Sequence, residues 1–206
     1  MDEKSGFLFV CNSRKKQMMV YKRNLILRAA AEHEKGGKMP KDAAFSTGVT
    51  PSFCTCYDGV VWTGAFSKEH TTLLGYVCKD GTFAPKYKLD YVPPLAQGVS
   101  FYRRHGQVHV SFSVSYGRRN PSYLKTSLVV DYDEAFASGK TMHLSQRLSV
   151  KMPAMMEEIQ YDGRYLYAVF ESASRTYRPM QPRKRSLNPC DRICKVRLDV
   201  LEQLCR

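Results

Sequence analysis

The chain has no apolar run of about 18 residues, the length a helix needs to cross a bilayer, and its opening stretch from Met1 to Gly6 lacks the apolar core of a secretory signal. Both absences predict a soluble protein, cytoplasmic as written. An extracytoplasmic location is expected only if a further N-terminal portion carries an export signal. No GxSxG elbow, HExxH helix or glycine-rich phosphate loop occurs, so the commonest hydrolase and nucleotide-binding machineries have no anchor. Seven cysteines are present without two CxxC pairs, which argues against structural zinc and leaves free core thiols as the expectation. No cofactor is expected. Acidic residues are scarce: 19 Asp and Glu face 32 Lys and Arg, a net charge of +13.

What the chain does contain is one short pattern repeated four times. A turn ending in Gly6, Gly59, Gly106 or Gly163 leads into an alternating apolar strand, at Phe7–Val10, Val60–Phe66, Gln107–Phe112 and Arg164–Phe170. Glycine suits these turns because it takes positive φ without a Cβ clash. Before three of the turns stands an apolar innermost strand, at Ser52–Cys56, Gln97–Phe101 and Glu157–Tyr161. After each comes a third strand, at Met18–Tyr21, Leu73–Val77, Leu128–Tyr132 and Ile193–Val196. Cys54 and Cys56, two apart on one strand, should face the same side.

A period of about 50 residues built from short strands predicts an all-β fold of propeller type, because a single four-stranded blade needs a neighbour on each face. Four repeats are expected, at about 6–50, 51–95, 96–150 and 151–200, in one domain. Asn24–Lys35 and Asp133–Ser138, each followed by glycine, read as short helices on the rim. The first repeat lacks most of an innermost strand, so a partial ring that self-associates through an open blade edge is expected. A closed four-bladed ring or a plain sandwich is the alternative.

The positive charge is uneven. Residues 175–206 hold nine basic residues against Asp191, Asp199 and Glu202, and within them Arg183, Lys184 and Arg185 form the candidate polyanion-binding cluster. Arg14, Lys15 and Lys16, with Lys22 and Arg23, form a second one. A solvated basic surface is the simpler reading of both.

Pro51–Phe53 leading to Val61–Phe66, Gln97–Val99 leading to Ser113–Arg118, and Met152-Pro153 with Glu157 leading to Phe170–Ala173 and Tyr177-Arg178 resemble the blades of a family of bacterial β-propeller proteins. Members are mostly uncharacterised and often exported, and this chain resembles their C-terminal blades from about Phe7 to Leu198. It departs from the family pattern at Glu158, where glycine is expected, and at Ala65, where glutamate is expected.

In propellers, ligands gather at one mouth of the central channel. Aligned on the repeat, Ser52, Gln97 and Glu157 stand at equivalent places at the start of three innermost strands, and the strand ends add Tyr116, Arg118, Glu171 and Arg178. A carboxylate, an amide, a hydroxyl and guanidinium groups suit a polar small molecule or a carbohydrate. The alternative is that Glu157 and Glu171 only pair with nearby arginines. The functional expectation is therefore a non-enzymatic binding or scaffold module, with a glycan, a polar small molecule or a protein as partner. A metal-dependent, lactonase-like enzyme built on Glu157 and Gln97 is the second reading, and polyanion binding through the C-terminal segment is the third.

Overall fold

The computed structural model describes residues 6–32, 41–174, 177, 186 and 189–203. Among them, four antiparallel sheets follow one another along the chain, so the all-β expectation holds. The first sheet is β1 (Phe7–Asn12), β2 (Gln17–Lys22) and β3 (Ala43–Ser46), with helix α1 (Arg23–Glu32) between β2 and β3. The second is β4 (Phe53–Tyr57), β5 (Val60–Gly64), β6 (Thr71–Lys79) and β7 (Thr82–Val92). The third is β8 (Ala96–Arg104), β9 (Gln107–Val114), β10 (Ser122–Val129) and β11 (Leu144–Met152), with α2 (Tyr132–Ser138) between the last two. The fourth is β12 (Met156–Tyr161), β13 (Tyr165–Phe170) and β14 (Cys194–Arg197), followed by α3 (Leu198–Gln203).

Within each sheet the strands lie side by side in chain order, as tight hairpins dictate. Asp58-Gly59 and His105-Gly106 have positive φ at both residues, the conformation of a two-residue turn whose twist matches its strands. Each of the four repeat glycines sits just ahead of the strand expected to follow it. The third sheet corrects one boundary: its third strand is Ser122–Val129, ahead of the stretch expected at Leu128–Tyr132. Asp131 takes φ 45° and Tyr132 opens α2, so the apolar Val129-Val130 pair ends a strand where its pattern suggests a middle. Asp131 caps α2 by position only, with no side-chain hydrogen bond, while Gly139 stops it in the left-handed conformation.

Strand alternation sends each sheet's two faces to different neighbours. In the second sheet Val61 packs with Phe9, Met18 and Val20 of the first, while Val60 and Trp62 join Val99, Phe101, Val110 and Phe112 of the third. In the third, Tyr102 and Leu124 turn the other way, onto Met156, Ile159 and Leu166 of the fourth. Three apolar cores thus join sheets one to two, two to three and three to four. Among the described residues, no such core joins sheet four back to sheet one.

The strands leading each sheet lie next to one another, β4 beside β8 and β8 beside β12. The last two run in the same direction: Gly98 lies against Glu157 and Glu158, and Ser100 receives the Tyr161 N–H.

Candidate functional site

Sheet three turns a row of small hydroxyls toward β12. Ser122 Oγ accepts the Met156 N–H at 2.9 Å, Ser100 Oγ accepts the Tyr161 N–H at 3.2 Å, and Ser113 Oγ donates to the Glu157 carbonyl. These buried hydroxyls satisfy backbone groups of β12 that its own ladder leaves over. The ladder is interrupted there: pairing between β12 and β13 slips between Met156 and Ile159, at Glu157-Glu158. The β8–β9 ladder slips at the matching place, between Ala96 and Gly98, at Gln97. An extra residue in a strand re-aims a side chain out of the pleat. Two neighbouring strands thus carry a bulge at the same level, and the bulged residues are Gln97, Glu157 and Glu158.

Glu158 reaches across to β8. Its Oε1 accepts the Ile159 N–H at 3.0 Å and lies where a Cβ on Gly98 would meet it at 2.6 Å. A Cβ there would displace that carboxyl and would also press on the Glu157 carbonyl at 2.8 Å. Burial pushes the Glu158 carboxyl up to about 7, against the opposing pull of the Ile159 and Val99 N–H groups. Burial, and then the neighbouring Glu171 charge, push Glu157 up to about 7 as well. No ion pair of Glu157 or Glu171 with a described lysine or arginine is seen, and Arg178, the arginine expected beside them, lies outside the described residues.

The flanks of this pair are polarisable. Cys11 and Cys54, from β1 and β4, influence each other so that Cys11 is lowered and Cys54 raised, and the Glu158 charge pushes both upward; the Cys54 thiol donates to the Phe9 carbonyl at 3.7 Å. Cys54 and Cys56 do share the side facing the first sheet, as their spacing implies. All six described cysteines are free thiols.

The remaining expected site residues are placed less centrally. Ser52 precedes β4 and is exposed, with its N–H bound to Gly64; among the described residues no hydrogen bond joins its side chain to Gln97 or Glu157. Tyr116 and Arg118 lie on the exposed turn after β9, where the Tyr116 carbonyl accepts from Asn120 and the Arg118 carbonyl from Ser186. Glu171 closes β13, its N–H bound to the Met155 carbonyl. Arg178, Arg183, Lys184 and Arg185 lie outside the described residues. Glu158 is the residue the repeat alignment did not select; the signal for it was the carboxylate doublet beside Met156 and Ile159 in one short strand.

No group of three or more His, Cys, Asp or Glu side chains among the described residues is arranged to hold a metal ion. No described helix is long and apolar enough to cross a membrane. The chain matches no protein-family model and no curated protein.

Proposed function

We propose that the four sheets are consecutive blades of a β-propeller, and that the chain is a non-catalytic binding module for a polar, hydroxyl-rich ligand such as a carbohydrate. The observation that carries this reading is the pair of bulges at one level of two adjacent strands, at Gln97 in β8 and at Glu157-Glu158 in β12. Two carboxyls raised to about 7 are partly protonated near neutral pH, so each offers a hydroxyl donor as well as acceptor oxygens. An amide beside them adds both kinds of group. Such a set pairs with sugar hydroxyls in either sense, where a fixed charge would not.

Calorimetric titration of neutral and acidic oligosaccharides against the intact chain tests the proposal. Glu157→Gln and Gln97→Ala should each weaken a binding sugar by about tenfold or more, the worth of one or two hydrogen bonds. Binding unchanged in both variants contradicts the site. A lactonase-like activity on Glu157 and Gln97 would instead appear as turnover abolished by a chelator.

A polyanion reading has one described observation behind it. A cavity of about 340 Å³ at the Gly163 turn is bordered by Arg104, Arg164 and Arg197, with Asp199 bound to Arg197. Heparin retention falling steeply with salt, and falling further in Arg183→Glu or Arg164→Glu, would favour it.

A further inference from the structure

Cys190 and Cys194 stand apart from the bulge site, and their sulfurs are 3.6 Å from each other. Cys194 is fixed in β14 opposite Ala168, half-buried against the core between sheets three and four. Cys190 lies in the segment leading into that strand. Its N–H is held by the buried Ser172 hydroxyl at 2.9 Å, and its thiol donates to the Arg192 carbonyl at 3.4 Å. Four residues upstream, Ser186 is buried and its hydroxyl donates to the Arg118 carbonyl at 3.1 Å. The approach to β14 is thus stitched at two points to the turns that carry Arg118 and Glu171.

We propose that Cys190 and Cys194 form a reversible disulfide that locks this approach onto the end of sheet four. The inference does not depend on the ligand-binding reading. A disulfide needs its sulfurs at about 2.05 Å, so closure requires about 1.6 Å of movement. Cys190 supplies it, being outside any strand, while the ladder holds Cys194.

The oxidant is a low-molecular-weight disulfide of the glutathione class. The Cys190 thiolate attacks one of its sulfurs, forming a mixed disulfide and releasing one small thiolate. Cys194 then loses its proton to solvent and attacks the Cys190 sulfur, expelling the second small thiolate. Two protein thiols are oxidised and one small disulfide is reduced to two thiols. Burial, and then the contact with Cys190, push the Cys194 thiol up, so Cys194 is the poorer first nucleophile and enters as the resolving thiol, held beside the Cys190 sulfur by its strand.

Trypsin provides the test, since Arg192 lies between the two cysteines. The intact chain is equilibrated in oxidised glutathione, its remaining thiols are alkylated, and it is digested without reduction. The expected result is five alkylated cysteines of the seven, with the peptides carrying Cys190 and Cys194 joined until reductant is added. Cys190→Ser and Cys194→Ser should each abolish the joined species and leave the thermal melt in reductant unchanged. Alkylation of Cys190 and Cys194 as fast as the exposed Cys78 would overturn the proposal. So would their pairing with Cys205, or oxidation confined to Cys11 and Cys54.

Discussion

A Cβ added at Gly98 would lie 2.6 Å from Glu158 Oε1, 2.8 Å from the Glu157 carbonyl and 2.9 Å from Ser113 Oγ. The carboxyl can rotate away, but the carbonyl belongs to β12 and cannot. Gly98→Ala should therefore destabilise the fold by about 1–3 kcal/mol, the usual range for overpacking, as read by chemical denaturation. A neutral effect would mean that β8 and β12 are not in the contact described. The carboxyls beside it make stability depend on pH. Each has a native value of about 7 against an ordinary 4.5, so the native state favours the neutral form. Their contribution is full below the ordinary carboxylate range and is lost as pH rises through about 7. The melting temperature should fall between about pH 5 and about pH 8, and Glu158→Gln should flatten that fall; an unchanged slope would contradict the burial argument. Glu157 was legible in the repeat, because it stands at the start of the strand that precedes its turn glycine, as Gln97 does. Glu158 was not, since its role depends on a bulge and on space left by a glycine in another strand.

Among the elements, the hairpins were the most legible, because Asp-Gly and His-Gly turns announce themselves locally. The fourth strands were not assigned from sequence. In β7, exposed Lys86 and Lys88 alternate with buried Tyr87 and Leu89, a pattern diluted by charge because an outer strand shows one face to solvent. The packing of the elements predicts unequal sensitivity along one strand. Leu166 of β13 is 0 % exposed and sits in the core between sheets three and four, whereas Val169 on the opposite face is 39 % exposed. Leu166→Ala should cost about 2–5 kcal/mol, and Val169→Ala about 0.5 kcal/mol or less. Equal losses in denaturant melts would place β13 in the wrong register.

At the scale of the molecule, the described residues form a succession of sheets, and among them no apolar core covers the outer face of the first or of the fourth. On the first sheet Phe7, Phe9 and Cys11 pack toward sheet two, so Leu8 and Val10 turn outward, and Val10 is 36 % exposed. Among the described residues β1 is also an edge strand, a ready template for another strand. On the fourth sheet Tyr165 and Tyr167 face outward, with the Lys195 ammonium 3.9 Å and 5.5 Å from their ring centres. Alternation made the faces readable in the sequence. Whether the ends meet depends on contacts between sheets far apart in the chain, which no local pattern reports. Light scattering should give a mass above the 23.6 kDa of one chain, rising with concentration, and Val10→Lys should lower it toward a monomer. A strict monomer at all concentrations would contradict an open edge.

The measurement that bears most directly on the proposed site is a carbon-detected NMR titration of the glutamate side-chain carboxyls, assigned through Glu157→Gln and Glu158→Gln. Two midpoints near 7, both displaced when a binding sugar is added, are the predicted result. Midpoints for both residues in the ordinary carboxylate range, unmoved by any sugar, would show that Gln97, Glu157 and Glu158 do not form a buried polar site.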